Sequence, residues 1–310
     1  MKKLLYILLA LCLMLLISSH LVIPDEIIVS EIEEAESSER ILSKYLTSAN
    51  ELLKWWPQKK DAAGADTLRY NNYSYYFQNP KHNSIDIIIG TEDLKLKSTL
   101  SWIPLSNNLY KLTWKTSMPA GINPIKRFLR YRQAGKIKAD MKHILERYLT
   151  FITNRRNVYG YEFKIETVSD TLLATTSFHS VVVPNNFRIY QAINQVEAYV
   201  NRQGVKASKP PMLNISRAAQ GYRTTVALPV ANRFNPNGSI LLQRMVAGNI
   251  LVTDVKGGPK AISNGFRQME TFMKDFKLSS PAIYFESLVT DRSIEPDTTK
   301  WITKIYYPVY

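Results

Sequence analysis

A glutamate two residues from an aromatic hydroxyl in an extended run is the arrangement in this chain best suited to chemistry. Along Ile283-Tyr284-Phe285-Glu286-Ser287-Leu288-Val289 side chains alternate between faces, so Tyr284, Glu286 and Leu288 share one face and Ile283, Phe285, Ser287 and Val289 the other. In a concave, apolar setting that carboxylate would be partly desolvated and would hold a cationic guest, with the aromatic ring supplying contact area. Desolvation that raises its pKa would also fit it for general-base work with Tyr284 beside it. On a solvated strand it would do neither, and most glutamates are solvated. Other chemistries lack their parts. His20, His82, His143 and His179 stand far apart without metal-ligand spacing, and the single cysteine, Cys12, excludes internal disulfides and thiolate clusters. Gly257-Gly258-Pro259 reads as a strand-to-helix turn with proline at the first helical position. Neither a metal nor a cofactor is implied, and Gly-x-Ser-x-Gly or Ser-x-x-Lys nucleophile settings with partners are missing.

The strand that carries Glu286 belongs to an internal repeat. Tyr222 to Val230 and Trp301 to Val309 share the pattern aromatic, x, Thr, x, β-branched, x, x, Pro, Val. Upstream, Ile189, Ile193, Gln195, Glu197, Tyr199 and Val200 match Ile262, Phe266, Gln268, Glu270, Phe272 and Met273 at a constant offset of 73, with apolar residues at helical spacing. A β-like run precedes each helix, Leu172 to Thr175 and Ile250 to Thr253, so each copy reads strand, helix, strand, strand. The two copies are expected to pair about a pseudo-two-fold axis, with their sheets abutting, a groove between them and the helices behind.

This pattern resembles the GyrI-like (gyrase-inhibitor-like) domain, the effector-binding domain of AraC-type and MerR-type regulators, over residues 157–310. The resemblance implies a groove for amphipathic, often cationic small molecules beside the glutamate of a Phe-Glu motif, here Phe285-Glu286. In the first copy, Pro211-Met212-Leu213-Asn214-Ile215-Ser216, simple registration puts Ser216 at the glutamate's position, so the carboxylate is not part of the repeat.

At the other end, Met1-Lys2-Lys3 precedes fourteen uninterrupted apolar residues, Leu4 to Ile17, and no charge falls between Lys3 and Asp25. As a helix the stretch would span about 30 Å, the thickness of a bilayer core. Residues 1–24 therefore read as a transmembrane anchor; the rival is a cleaved signal peptide, for which Ile17-Ser18-Ser19 is an indifferent site. Lys2 and Lys3 before the run place the N-terminus in the cytoplasm and the folded part outside, or in a secreted form if the segment is cleaved. Beyond the acidic stretch Asp25 to Glu39, the body from Arg40 onward holds 38 basic against 19 acidic residues. With no nucleic-acid-binding motif in sight, no nucleic-acid partner is expected, and anionic headgroups or a merely basic surface account for the charge.

Residues 25–156 read as a first domain. A strand near Asp25 to Glu33 is followed by a helix over Ser37 to Lys54 that Pro57 ends, then by strand runs Tyr73–Phe77, Ile85–Ile89, Leu94–Ile103 and Leu109–Trp114. A long amphipathic helix closes it, with Ile137, Met141, Ile144, Leu145, Tyr148, Phe151 and Ile152 on one stripe. That order, with Trp55-Trp56-Pro57, resembles the START-like (SRPBCC, polyketide cyclase type) helix-grip fold, which implies a cavity for apolar ligands. Trp102 and Trp114, on adjacent strands, could line it or be core. The expected fold class is thus α+β: an N-terminal transmembrane helix, a START-like domain and a GyrI-like domain of two repeats. The order of the two domains resembles that of membrane-anchored bacterial proteins joining these folds. The expected function is non-catalytic capture of an apolar or amphipathic, possibly cationic, small molecule by Glu286 and Tyr284. The alternatives are hydrolysis with Glu286 as base, and lipid binding or transfer by the START-like domain.

Overall fold

Each alternating run becomes a strand, and the strands assemble into two antiparallel sheets with helices packed against them, a mixed α/β architecture. The computed structural model describes residues 20–57, 67–168, 171–245 and 247–310. Most of the expected anchor, residues 1–24, falls outside the described residues, among which no helix is long and apolar enough to cross a membrane. The chain divides into two units, Met1–Asn154 and Arg155–Tyr310.

In the first unit, β1 (Glu26–Glu36), β2 (Leu68–Tyr70), β3 (Tyr73–Gln78), β4 (Ser84–Gly90), β5 (Lys95–Ser106) and β6 (Leu109–Pro119) lie in the order β1-β6-β5-β4-β3-β2. The helix expected over Ser37 to Lys54 is two helices, α1 (Glu39–Thr47) and α2 (Ala49–Trp55). Ser48 between them is extended, at φ −103° and ψ 122°, which interrupts the helical path. Helix α3 (Pro124–Thr153) starts where the Asn123 side chain accepts from the Ile125 and Lys126 amides and Pro124 takes the first helical turn. Its stripe Ile137, Met141, Ile144, Leu145, Tyr148 and Ile152 is buried, and Tyr148 donates to the Leu42 carbonyl at 3.0 Å. Full burial of each such apolar side chain contributes about 1.5–3 kcal/mol.

The second unit opens with the short helix α4 (Arg155–Tyr159) and contains the repeat in full: β8 (Thr171–Ser180), α5 (Asn186–Arg202), β9 (Met212–Arg217), β10 (Tyr222–Val230), then β12 (Gly248–Lys256), α6 (Pro259–Asp275), β13 (Phe285–Leu288), β14 (Ile302–Val309). Strands β7 (Lys164–Val168) and β11 (Leu241–Met245) add to the outer edges. The expectation of two abutting sheets with a groove between them is corrected here. Strand β9 hydrogen-bonds to β13, and all eight strands form one sheet, β11-β8-β10-β9-β13-β14-β12-β7.

Linker lengths then dictate its shape. Val168 ends β7 at one edge and Thr171 begins β8 six strands away, yet two residues join them, and two more join Met245 of β11 to Gly248 of β12. Six strand spacings in a flat sheet measure about 29 Å, whereas three Cα steps reach about 11 Å. The sheet must therefore curl until its edges meet, leaving a concave inner face. Helices α5 and α6 cover the other face: Ala174, Val196, Val200 and Leu228 pack in one cluster, and Ile189, Ile193, Leu213, Val226 and Leu288 in another. At Gly265 of α6 a Cβ would come within 2.7 Å of Val255 and 3.0 Å of Ile305, so the helix lies directly on the strands.

Candidate functional site

Strand β13 sits at the middle of the sheet, and its register fixes what each side chain meets. Glu286 stands opposite Leu213 of β9 and Ile305 of β14, while Leu213 stands opposite Val226 of β10. Val226 and Ile305 are equivalent positions in the shared strand pattern, so the repeat partner of Glu286 is Leu213, and the assignment of Ser216 is corrected by three residues. The pseudo-two-fold axis runs between Glu286 and Leu213. One repeat spends that position on a core leucine, the other on a charge.

Alternation places Tyr284, Glu286 and Leu288 on the outer, helix-covered face. Leu288 packs with Ile189, Tyr190 and Ile193 of α5, and the Tyr284 ring lies against Phe266 of α6 at 4.7 Å and Tyr307 at 5.2 Å. Between them the Glu286 side chain is 18% exposed and faces Arg292, itself 6% exposed, whose Nη2 donates to Glu286 Oε2 at 3.2 Å and to Thr303 Oγ1 at 2.7 Å. The Arg292 guanidinium also lies over the Trp301 ring at 4.9 Å. Its backbone N–H donates to the Tyr190 hydroxyl at 2.7 Å, and that hydroxyl donates to the Thr290 carbonyl at 3.3 Å. Through this knot the first repeat's helix holds the second repeat's hairpin loop.

Burial pushes the Glu286 carboxyl above its ordinary range, and the Arg292 charge and hydrogen bond pull partly the other way. Tyr284 is raised as well, mainly by burial and then by the charges of Glu286 and Glu270. Arg292 is not among the candidate residues read from the sequence, since it lies in the polar loop between β13 and β14. Its signal is a cation in the hairpin loop that follows a buried acid.

On the concave face, Phe285 and its cross-strand neighbours make a different surface. Leu173, Met212 and Ala227 form an apolar cluster with Met245 and Phe285, and Phe285 stacks on Tyr306 at 4.7 Å and 17°. Above them lies a cleft of about 380 Å³, floored by these residues with Ile250 and Pro308 and edged by Asn214, Thr225, Gln243, Arg244 and Asn249. A smaller cleft of about 110 Å³ adjoins it across Val168, Met212, Met245, Ile250 and Phe285, with Glu166 and Lys209 at its edge. The larger volume is at the lower end of what small-molecule sites have, and its lining has the usual form of an apolar floor with a few polar groups. Both repeats contribute, and two methionines give the floor an adaptable shape. Tyr284 and Glu286 point away from this cleft.

In the first unit, Trp102 and Trp114 do lie on neighbouring strands, and both are completely buried. Trp114 donates to Ser98 Oγ at 3.1 Å and meets Tyr75 at 6.0 Å; Tyr75 in turn meets Trp56 at 5.5 Å. These rings fill the space between sheet and α3. A cleft of about 260 Å³ in this unit is lined instead by Leu52, Leu53, Leu68, Tyr76, Phe77 and Ile85, among others.

No protein-family model matches the chain, and no curated protein matches it. Among solved structures it is similar to the EcmrR C-terminal domain, at 15% identity and a TM-score of 0.43, over 48% of this chain and 98% of that one. It is similar to SAV2435 bound to tetraphenylphosphonium, at 12% identity and 0.36, over 48% and 94%. A START superfamily protein from Mycobacterium smegmatis matches at 16% identity and 0.27, over 40% and 97%.

Proposed function

We propose that the second unit is a receptor for an apolar or amphipathic small molecule, bound in the concave cleft over Leu173, Met212, Ala227 and Phe285. The observation that carries this reading is the cleft itself: about 380 Å³ of space on an apolar floor built by both repeats. Burying such a guest against that floor supplies the binding free energy, and the polar edge orients it. The apolar run before Asp25 serves in this reading as a membrane tether that keeps the receptor beside a lipid phase.

The test is native followed by denaturing mass spectrometry of the full chain, to detect a copurified amphiphile. The guest should be present in the native chain, absent in Ala227→Trp, which fills the cleft, and retained in Glu286→Gln. Retention in Ala227→Trp would reject the cleft.

One observation favours a second reading, with Glu286 and Tyr284 as the ligand contacts. The carboxylate is desolvated, and the arginine that satisfies it has other partners to fall back on in Thr303 and Trp301. A hydrophobic cation could then take the place of Arg292, and Arg292→Met would tighten binding of tetraphenylphosphonium about tenfold or more, as expected on removing an internal competitor. Hydrolysis with Glu286 as base asks for the same displacement first, because a carboxylate held by arginine is a poor proton acceptor. Unchanged affinity in Arg292→Met would end both versions.

A further inference from the structure

Helix α3 begins beside the place where the apolar N-terminal run meets the folded first unit. Arg127, almost fully buried, donates from Nε at 2.9 Å and from Nη2 to the Ile23 carbonyl, from Nη1 to the Gly121 carbonyl at 3.0 Å and from Nη2 to the Asp25 carboxylate at 2.8 Å. Residues 23–25 are thereby clamped to the first turn of α3, immediately after a stretch with no charge between Lys3 and Asp25.

The outward side of α3 at this point is apolar. Ile125, Phe128 and Leu129, at i, i+3 and i+4, are 69%, 54% and 57% exposed and lie opposite the buried Arg127 and Ala134. Ile122 just before the helix is 89% exposed, and Leu21 and Val22 on the clamped segment are more exposed than buried. A solvated helix face is ordinarily polar, so two turns of exposed aliphatic and aromatic side chains call for a partner. Farther along the same face the chemistry changes: Arg132 and Lys136, both exposed, follow at about 6 and 12 Å of axial rise from Phe128, with exposed Lys126 at the side. Nearby acids are largely engaged, Asp25 with Arg127 and Asp93 with Arg130 at 2.6 Å, while Glu92 flanks the patch at its strand-side edge.

We infer that this end of the first unit rests on an anionic bilayer surface. Ile122, Ile125, Phe128 and Leu129 enter the headgroup–acyl boundary, Arg132 and Lys136 meet lipid phosphates one to two turns above, and Lys126 at the side of the patch reaches up to them along its aliphatic stem. The order along the helix, apolar first and basic next, matches the depth order of an interfacial anchor. The apolar run that ends at the clamp brings the bilayer to this face and not to another. This interface goes beyond the small-molecule reading and does not depend on it.

The test uses the full chain with Cys12→Ser and a single new cysteine, Ile125→Cys or Phe128→Cys, carrying an NBD label, reconstituted into phosphatidylcholine–phosphatidylglycerol vesicles with or without doxyl-labelled lipid. Lys111→Cys, exposed on β6 about 27 Å along the strand from Pro119, is the control. Labels at 125 and 128 should shift to the blue and lose most of their intensity to doxyl lipid, while the label at 111 keeps its own. Adding Leu129→Glu and Lys126→Glu to the Phe128→Cys chain should restore the lost intensity, with an unchanged circular dichroism spectrum. Labels at 125 and 128 quenched no more than the control would overturn the proposal, whether they emit as if in water or are shielded by residues 1–19 or by a second copy.

Discussion

Phe285 and Glu286 are adjacent in one central strand, and the two faces they serve solve different problems. On the outer face the side chains are covered: Leu288 and Leu213 pack under α5, Tyr284 under α6, and the Glu286 carboxylate has its counter-charge in Arg292. On the inner face side chains form a floor, and among the described residues a cleft of about 380 Å³ remains above Phe285. The difference teaches that a buried charge and a binding cavity need not coincide. A carboxylate in a protein interior is tolerable because an arginine, a hydroxyl and an aromatic ring surround the pair. A cavity persists because curling brings two sheet edges together around a floor too small to fill it.

The largest effect expected is on stability, from breaking the outer pair by one partner only. Arg292→Met leaves the 18%-exposed Glu286 carboxylate without its counter-charge and should destabilise the chain by about 3 kcal/mol at neutral pH, the lower end for breaking a buried pair because Glu286 keeps some exposure. Urea unfolding of the second unit reads this out, and a loss below about 1 kcal/mol would mean the pair behaves as a surface bridge. Affinity for the cleft ligand should stay within about threefold, since the residue faces away.

Next in size is the effect of filling the inner face. Ala227→Trp should weaken the apolar ligand by about 2 kcal/mol or more, roughly thirtyfold, at a stability cost of about 1 kcal/mol or less because the indole enters existing space. Isothermal titration beside thermal unfolding separates the two, and a large stability loss with normal affinity would show that the cleft is merely packed more loosely than it looks.

A third, smaller effect is the coupling itself. Glu286→Leu with Arg292→Met replaces the pair by apolar groups, the first of them making the centre of the sheet symmetric with Leu213. The double variant should be more stable than either single one, with an interaction of about 1–3 kcal/mol in the cycle. Additive losses would deny that the two residues act as a unit.

How far the sequence foretold this follows from which rules are local. Period-two alternation sorted Tyr284, Glu286 and Leu288 from Phe285 and Ser287, because side-chain direction in a strand is set by the backbone alone. It did not say which set the helices would cover, since both faces of β13 carry large apolar residues and either could have been core. The helix repeat at Ile189 and Ile262 was legible for the same reason as the stripe of α3: apolar spacing records a buried face. The single curled sheet was hidden in the two-residue linkers after Val168 and Met245, which constrain shape only once the pairing of β7 with β12 and of β11 with β8 is known. Arg292 was hidden because a loop side chain has no period to betray its direction. The break at Ser48 could have been seen, as Ser48 and Glu51 have the spacing of a helix start inside a longer apolar stripe.

The smallest effect is the dependence of stability on pH, and its sign distinguishes a desolvated carboxylate from a comfortably paired one. Burial raises the Glu286 carboxyl above 4.5, its ordinary value, despite Arg292. A group whose folded pKa is raised contributes its stability in full below the unfolded value, where both states are protonated. As pH climbs from 4.5 toward the folded value the unfolded chain loses the proton first, so stability falls across that window and levels above it. Asp140, raised mainly by its own burial beside Asn71 and Tyr75, acts in the same direction in the first unit, so the difference between chains is the useful quantity. The difference in unfolding free energy between the native chain and Glu286→Gln should shrink as pH rises through the window and then hold steady. With Arg292→Met in place of the native chain, the decline should continue to higher pH, because the charge that restrained the shift is gone. A difference that grows with pH would mean that the arginine outweighs burial, and the outer face would then hold a stabilising ion pair in which no cationic guest could improve on Arg292.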